Sequence, residues 1–139
     1  MESASRAAQS ILKRWQSFSV ELSEVKVFPE TNILYLDIGR GSGTLHELHD
    51  ELNTGELAYD ENFDFLPHLT ISGPISKRRL AKVHQEAKRT WEEQRGVAEF
   101  EVKEVVALWQ PPHGSPDDWN RVWSEKLREN GRSAQAGSR

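Results

Sequence analysis

Phe65-Leu66-Pro67-His68-Leu69-Thr70-Ile71-Ser72 sets an imidazole and a hydroxyl two residues apart in a segment that reads as extended. Successive side chains on a strand turn to opposite faces, so His68 and Thr70 are expected on one face and Leu69 and Ile71 in the core behind it. Pro67 suits the first position of such a strand, where a missing N–H is tolerated. Ser72-Gly73-Pro74 then ends it. Ser76 is placed to cap a helix from about Lys77 to Gln94, with Leu80, Val83, Ala87 and Trp91 as its apolar stripe. Lys77, Arg78 and Arg79 crowd the first turn of that helix, where positive charge opposes the helix dipole. Exposed amides and cations together at a helix start suit an anion, although an ordinary solvated basic face has the same composition.

Upstream, Ala8, Ile11, Leu12 and Trp15 fall at helical spacing within Ser3 to Trp15. Phe18, Val20 and Leu22 alternate with Ser19 and Glu21, and Val25-Lys26-Val27 continues the run as a half-buried strand. Pro29-Glu30-Thr31-Asn32 supplies a turn, and Ile33 to Ile38 follows as a mostly apolar strand, which together read as a hairpin. Gly39-Arg40-Gly41-Ser42-Gly43 lacks both the Gly-Lys-Ser/Thr ending of a phosphate loop and the spacing of a dinucleotide fingerprint, so it reads as a flexible connection rather than a phosphate cradle. Thr44 and Glu47 have the capping-box spacing, predicting a helix from Thr44 with Leu45, Leu48 and Leu52 as its stripe. His46 and His49 lie three apart on that helix, but with no third ligand at a recognisable spacing they read as surface or half-buried side chains. Asn53 to Asn62 reads as a loop, with Glu56, Asp60, Glu61 and Asp64 forming a solvated acidic face.

Downstream, Phe100 to Trp109 alternates and then becomes continuously apolar, which predicts a strand with a bulge near Glu104. Asp117 to Leu127 suits a helix, since Pro116, Asp117 and Asp118 fit a helix start and Trp119, Val122, Trp123 and Leu127 fall at helical spacing. From Glu129 onward the chain is polar and Gly/Ser-rich and is expected to be a disordered tail, leaving residues 1–128 as a single domain. At 139 residues, 36% hydrophobic and 29% charged, the chain has the composition of a soluble domain with its own core. No apolar run reaches membrane-spanning length and no signal-peptide pattern opens the chain, so no membrane association and a cytoplasmic location are expected. The absence of Cys removes disulfides, zinc-thiolate sites and thiol nucleophiles together. A net charge of −4 argues against tight, sequence-independent binding to long nucleic acid and leaves small anionic substrates open.

The Phe65-Leu66-Pro67-His68-Leu69-Thr70 segment resembles the second His-x-Thr tetrapeptide of the two-histidine (2H) phosphoesterases, the superfamily that includes the bacterial 2'-5' RNA ligases and the RNA cyclic phosphodiesterases. The order of elements before it is also similar to that family: Phe18-Ser-Val-Glu-Leu, Ile33-Leu-Tyr-Leu-Asp-Ile, then Leu45-His-Glu-Leu-His-Asp-Glu-Leu52. The likeness covers roughly residues 7 to 110. It implies an α+β fold with an antiparallel sheet and packed helices, and a short edge strand near Trp119 to Trp123 in place of the helix that the spacing suits, which leaves that segment open between the two. It also implies cofactor-free and metal-independent chemistry, with His68 as general acid or base and Thr70 as a phosphate-binding group. A basic residue soon after the second tetrapeptide is common in that family, which makes Lys77, Arg78 and Arg79 candidates for substrate phosphate contacts. The family builds its site from two such tetrapeptides, and here none of His46, His49, His84 and His113 is followed by Thr two residues on. The resemblance therefore implies an amino-terminally shortened member, or one with half a site.

Hydrolysis of a 2',3'-cyclic phosphate needs a base for the attacking water and an acid for the leaving ribose oxygen, on opposite sides. Two imidazoles divide those roles readily, and hydroxyls two residues after each stabilise the phosphate charge. With one tetrapeptide, three outcomes stay open. The chain is a phosphodiesterase or ligase acting on a small nucleotide or RNA end with a 2',3'-cyclic or 2'-5' phosphodiester; or it is a non-catalytic phosphate-binding or structural module; or a homodimer brings two copies of His68 to one cleft.

Overall fold

The computed structural model describes residues 2–61, 64–94, 98–115 and 117–129. The chain folds as α1 (Glu2–Leu12), β1 (Phe18–Phe28), β2 (Ile33–Ile38), α2 (Ser42–Leu52), a 3-10 turn at Gly55–Leu57, β3 (His68–Thr70), α3 (Lys77–Glu93), β4 (Glu99–Val102), β5 (Glu104–Trp109) and β6 (Asn120–Lys126). It is an α+β fold with antiparallel strand pairs, as the sequence leads one to expect. None of the described helices is long and apolar enough to cross a membrane. Two compact units divide it: Met1–Phe18, His49–Asp60 and Glu101–Arg139 form one, and Ser19–Leu48 with Glu61–Phe100 the other.

The second unit is organised on a four-stranded sheet in the order β3-β2-β1-β4. β1 and β2 form the hairpin read from the alternation, closed by a turn in which Asn32 has φ 58° and its amide reaches the Phe28 carbonyl. Asn tolerates that left-handed conformation better than most residues. Registers are Leu22 opposite Ile38, then Val25 opposite Leu36, so β1 carries one extra residue there, a bulge. Val20, Val25, Leu34, Leu36 and Leu48 are buried. α3 closes one sheet face: Val83, Ala87 and Trp91 line an apolar groove with Val25, Leu36 and Ile71. It is anchored at the bulge, where the Trp91 indole N–H donates to the Ser23 carbonyl at 2.7 Å and His84 Nε2 donates to the Val25 carbonyl at 3.2 Å.

The glycine-rich connection is held rather than loose. The Gly39 amide donates to Glu21 O and the Glu21 amide to Arg40 O, both at 2.8 Å. α2 begins at Ser42, two residues before the capping-box position, because the Leu45 amide already bonds to Gly41 O.

In the first unit, Ala8 and Leu12 are the buried positions of α1. The Ser17 hydroxyl, buried, donates to Glu101 at 2.6 Å, and the Arg128 and Ser17 amides tie residues 15–17 to the strand end after β6. β5 and β6 pair as a two-stranded sheet from Glu104 opposite Lys126 to Trp109 opposite Asn120. The predicted single strand 100–109 is two strands, parted at Lys103 and assigned to different sheets. Residues 120–126 take the strand form of the two that were open. The expected tail lies outside the described residues except for Glu129, which is exposed.

Candidate functional site

β3 is an edge strand of three residues, all exposed. Its register against β2 places His68 opposite Asp37, Leu69 opposite Leu36 and Thr70 opposite Tyr35. Directly opposed residues share a sheet face. His68 and Thr70 therefore stand on one face with Tyr35 and Asp37, and one strand further with Lys26, opposite Tyr35, and Phe28, opposite Ile33. Leu69 turns the other way as expected, but it is 47% exposed and Ile71 42%. The core behind this face is formed by the central strands, and among the described residues no strand pairs with the outer side of β3, so these two apolar residues are not buried.

His68 Nδ1 lies 2.7 Å from the Leu66 carbonyl oxygen. A carbonyl only accepts, so Nδ1–H donates, and a neutral His68 ring presents the lone pair of Nε2. Two aromatic rings hold the imidazole in place. Phe28 lies 5.0 Å away at 83° and Tyr35 5.6 Å away at 74°, both edge-to-face, and they stack on each other at 4.0 Å. Tyr35 is only 7% exposed, which makes this pair a fixed floor.

The charges on the same face are paired. Lys26 Nζ is 2.7 Å from Asp37 Oδ2, and Asp37 Oδ1 accepts from the Glu24 amide at 2.7 Å. Glu24 sits in the bulge, so this carboxylate satisfies an amide the ladder leaves out. The Asp37 hydrogen bond, and then its charge, raise the Lys26 ammonium above its ordinary value. For Asp37, burial pushes upward, but the Lys26 and Glu24 donors and the Lys26 charge together outweigh it and hold the carboxyl below its ordinary value.

Lys77, Arg78 and Arg79 are exposed in the first turn of α3, where the Arg79 and Leu80 amides bond to the Ser76 carbonyl. Ser76 makes no side-chain cap hydrogen bond. The body of α3 packs on the sheet face opposite that of His68 and Thr70. On α2, His46 meets the Phe65 ring edge-to-face at 5.2 Å and His49 contacts Asp50 at 3.2 Å. Among the described residues no group of three or more His, Asp or Glu is placed to hold a metal ion. His113-Gly114-Ser115 has the His-x-Ser spacing, but it lies in the turn between β5 and β6, where no strand sets the two side chains on one face. Phe28, Tyr35, Lys26 and Asp37 were not singled out by the sequence reading. The signal available was the odd-numbered alternation of Tyr35 and Asp37 on a strand preceding the His-x-Thr segment.

A model of the 2'-5' RNA ligase superfamily matches residues 1–113. A protein of Halalkalibacterium halodurans with a provisional phosphoesterase name is 32% identical over 82 residues, covering 58% of this chain and 47% of that protein. A similarly named protein of Geobacillus thermodenitrificans is 33% identical over 61 residues, covering 44% of this chain and 35% of its own length. The chain thus spans about half or less of these relatives. Among solved structures, E. coli LigT complexed with 3'-AMP superposes with a TM-score of 0.53 at 14% identity, over 91% of this chain and 70% of LigT. A crystal structure described as a phosphoesterase gives 0.54 at 17% identity, over 91% and 68%. The extended His-x-Thr segment, the elements around it and the match over residues 1–113 make this chain a member of the 2'-5' RNA ligase superfamily of two-histidine phosphoesterases.

Proposed function

We propose that this chain contributes one half of a phosphodiesterase or ligase site for 2',3'-cyclic or 2'-5' linked nucleotides, working in the cytoplasm by histidine acid–base chemistry. The observation that carries the reading is the His68 tautomer. With Nδ1–H committed to Leu66, Nε2 is the atom that takes a proton from an attacking water or, once protonated, gives one to a leaving ribose oxygen. Thr70 follows on the same face, and its hydroxyl donates to the phosphoryl oxygens where negative charge builds. Lys77, Arg78 and Arg79 serve further phosphates of an RNA end. The group acting on the opposite side of phosphorus comes from a second copy of the chain or from another polypeptide segment.

The test is hydrolysis of a 2',3'-cyclic mononucleotide in EDTA by the wild-type chain and His68→Ala over a range of protein concentrations. Turnover that rises more steeply than protein concentration and disappears in the variant supports a site shared between copies. Equal turnover by both proteins refutes the role of His68. Nucleotide binding without turnover points to the non-catalytic module.

A further inference from the structure

Neither a neutral His68 nor Thr70 brings positive charge to the face they share, while Asp37, directly opposite His68, brings a negative one. A phosphodiester laid there would be repelled unless Asp37 were compensated. Lys26 compensates it. Its ammonium, drawn along the face to Asp37 Oδ2, stands over β2, about one strand spacing (~4.8 Å) from the His68–Thr70 strand. That is a span the oxygens of one phosphate bridge. An ammonium has three donors and Asp37 engages it through one oxygen, while the Lys26 side chain is 48% exposed, so donors are left for a ligand. The carboxylate is not free to follow it, because its other oxygen is fixed on the Glu24 amide.

We propose that Lys26 is a phosphate-binding residue of this face, and that Asp37 both presents it and limits its hold by competing for the ammonium. The inference rests on the reading that a phosphate ester lies against His68 and Thr70, and it adds a binding group and its control. It has a consequence that a merely structural ion pair lacks. Removing either partner of a structural pair weakens the site in the same direction. Here the two removals act oppositely: losing Lys26 leaves an uncompensated carboxylate beside the phosphate, and losing the Asp37 charge frees the cation for it. Asn at 37 still accepts the Glu24 amide, which keeps the bulge intact.

The experiment is calorimetric titration of the full chain with inorganic phosphate and with adenosine 3'-monophosphate at low salt, using wild type, Lys26→Gln, Lys26→Arg, Asp37→Asn and the double variant, with folding checked by circular dichroism. Lys26→Gln is expected to weaken binding about tenfold, on the scale of one charge-assisted hydrogen bond. Lys26→Arg should hold near wild type, Asp37→Asn should tighten binding about threefold, and all differences should shrink at 1 M salt. Wild-type binding unchanged by Lys26→Gln, shifts of one sign for Lys26→Gln and Asp37→Asn, or no binding by the folded wild type would each overturn the proposal. Opposite shifts in a chain that shows no turnover would uphold it while removing the catalytic reading.

Discussion

Gly41→Ala tests the account of how β2 is joined to α2. Gly41 has φ 94°, and a Cβ there would lie 2.5 Å from the Ser19 carbonyl oxygen, 3.1 Å from Val20 Cα and 3.2 Å from Val20 Cγ2. None of these atoms gives way easily, since two are backbone and Val20 is 1% exposed. The left-handed conformation costs an alanine about 1–2 kcal/mol. Relieving the contact lifts the turn from β1 and weakens the Gly39–Glu21 and Glu21–Arg40 backbone hydrogen bonds, at about 1 kcal/mol each. The expected loss is therefore about 3–4 kcal/mol, a large share of the roughly 5–15 kcal/mol that holds a typical domain. In urea, with a slope of about 1.5–2 kcal/mol/M, the unfolding midpoint followed by circular dichroism should fall by about 2 M. Gly43→Ala is the internal control: Gly43 lies within α2, and nothing approaches its Cβ position within 4 Å. Alanine there should stabilise by about 0.5–1 kcal/mol through helix propensity. A Gly41→Ala midpoint within experimental error of wild type would refute the claim that the close approach to β1 determines this turn.

Other outcomes follow from the charged face and the histidine. Asp37 is held below its ordinary value of 3.8, so its contribution is present above that value and is lost as pH falls through the lower folded value; Lys26 is raised above 10.5, so its contribution is present below that value and is lost as pH rises past it. Wild type should accordingly exceed Asp37→Asn in melting temperature between about pH 4 and 10.5 by less than the equivalent of ~1 kcal/mol, because Lys26 is half exposed, and the gap should close at both ends; a gap independent of pH would refute the assignment. Nitrogen-15 NMR of neutral His68 should show Nδ1 protonated and Nε2 bare, and the reverse tautomer would remove the basis for using Nε2 in proton transfer.

Much of the fold was legible because its periodicities are local. The β1–β2 hairpin follows from alternation and turn residues, α3 from its apolar stripe, and the His68–Thr70 strand from its spacing after Pro67. Two segments were not. Phe100 to Trp109 has the pattern of one strand, yet Lys103 parts it into strands of two sheets, and local pattern carries no information about which sheet a strand joins. Asp117 to Leu127 has its apolar residues Trp119, Val122, Trp123 and Leu127 at helical spacing, with no period-two alternation to mark a strand. Pairing with β5, Val105 opposite Glu125 and Val106 opposite Ser124, selects the strand.

For the site, sequence alone determined that an imidazole and a hydroxyl share one face of an extended segment, because a pleat repeats every two residues whatever surrounds it. What stands beside them was decided by tertiary structure. Lys26, Phe28, Tyr35 and Asp37 come from two other strands, and the bulge between Leu22 and Val25 changes which β1 residues lie on this face. The proton position on His68 was likewise decided by the folded chain, since it depends on the Leu66 carbonyl meeting Nδ1 at hydrogen-bond distance. Cross-strand register is a long-range property, fixed by burial of Leu34, Leu36 and Val25 on the opposite face, and a one-residue slip would have placed different side chains around the same His-x-Thr segment.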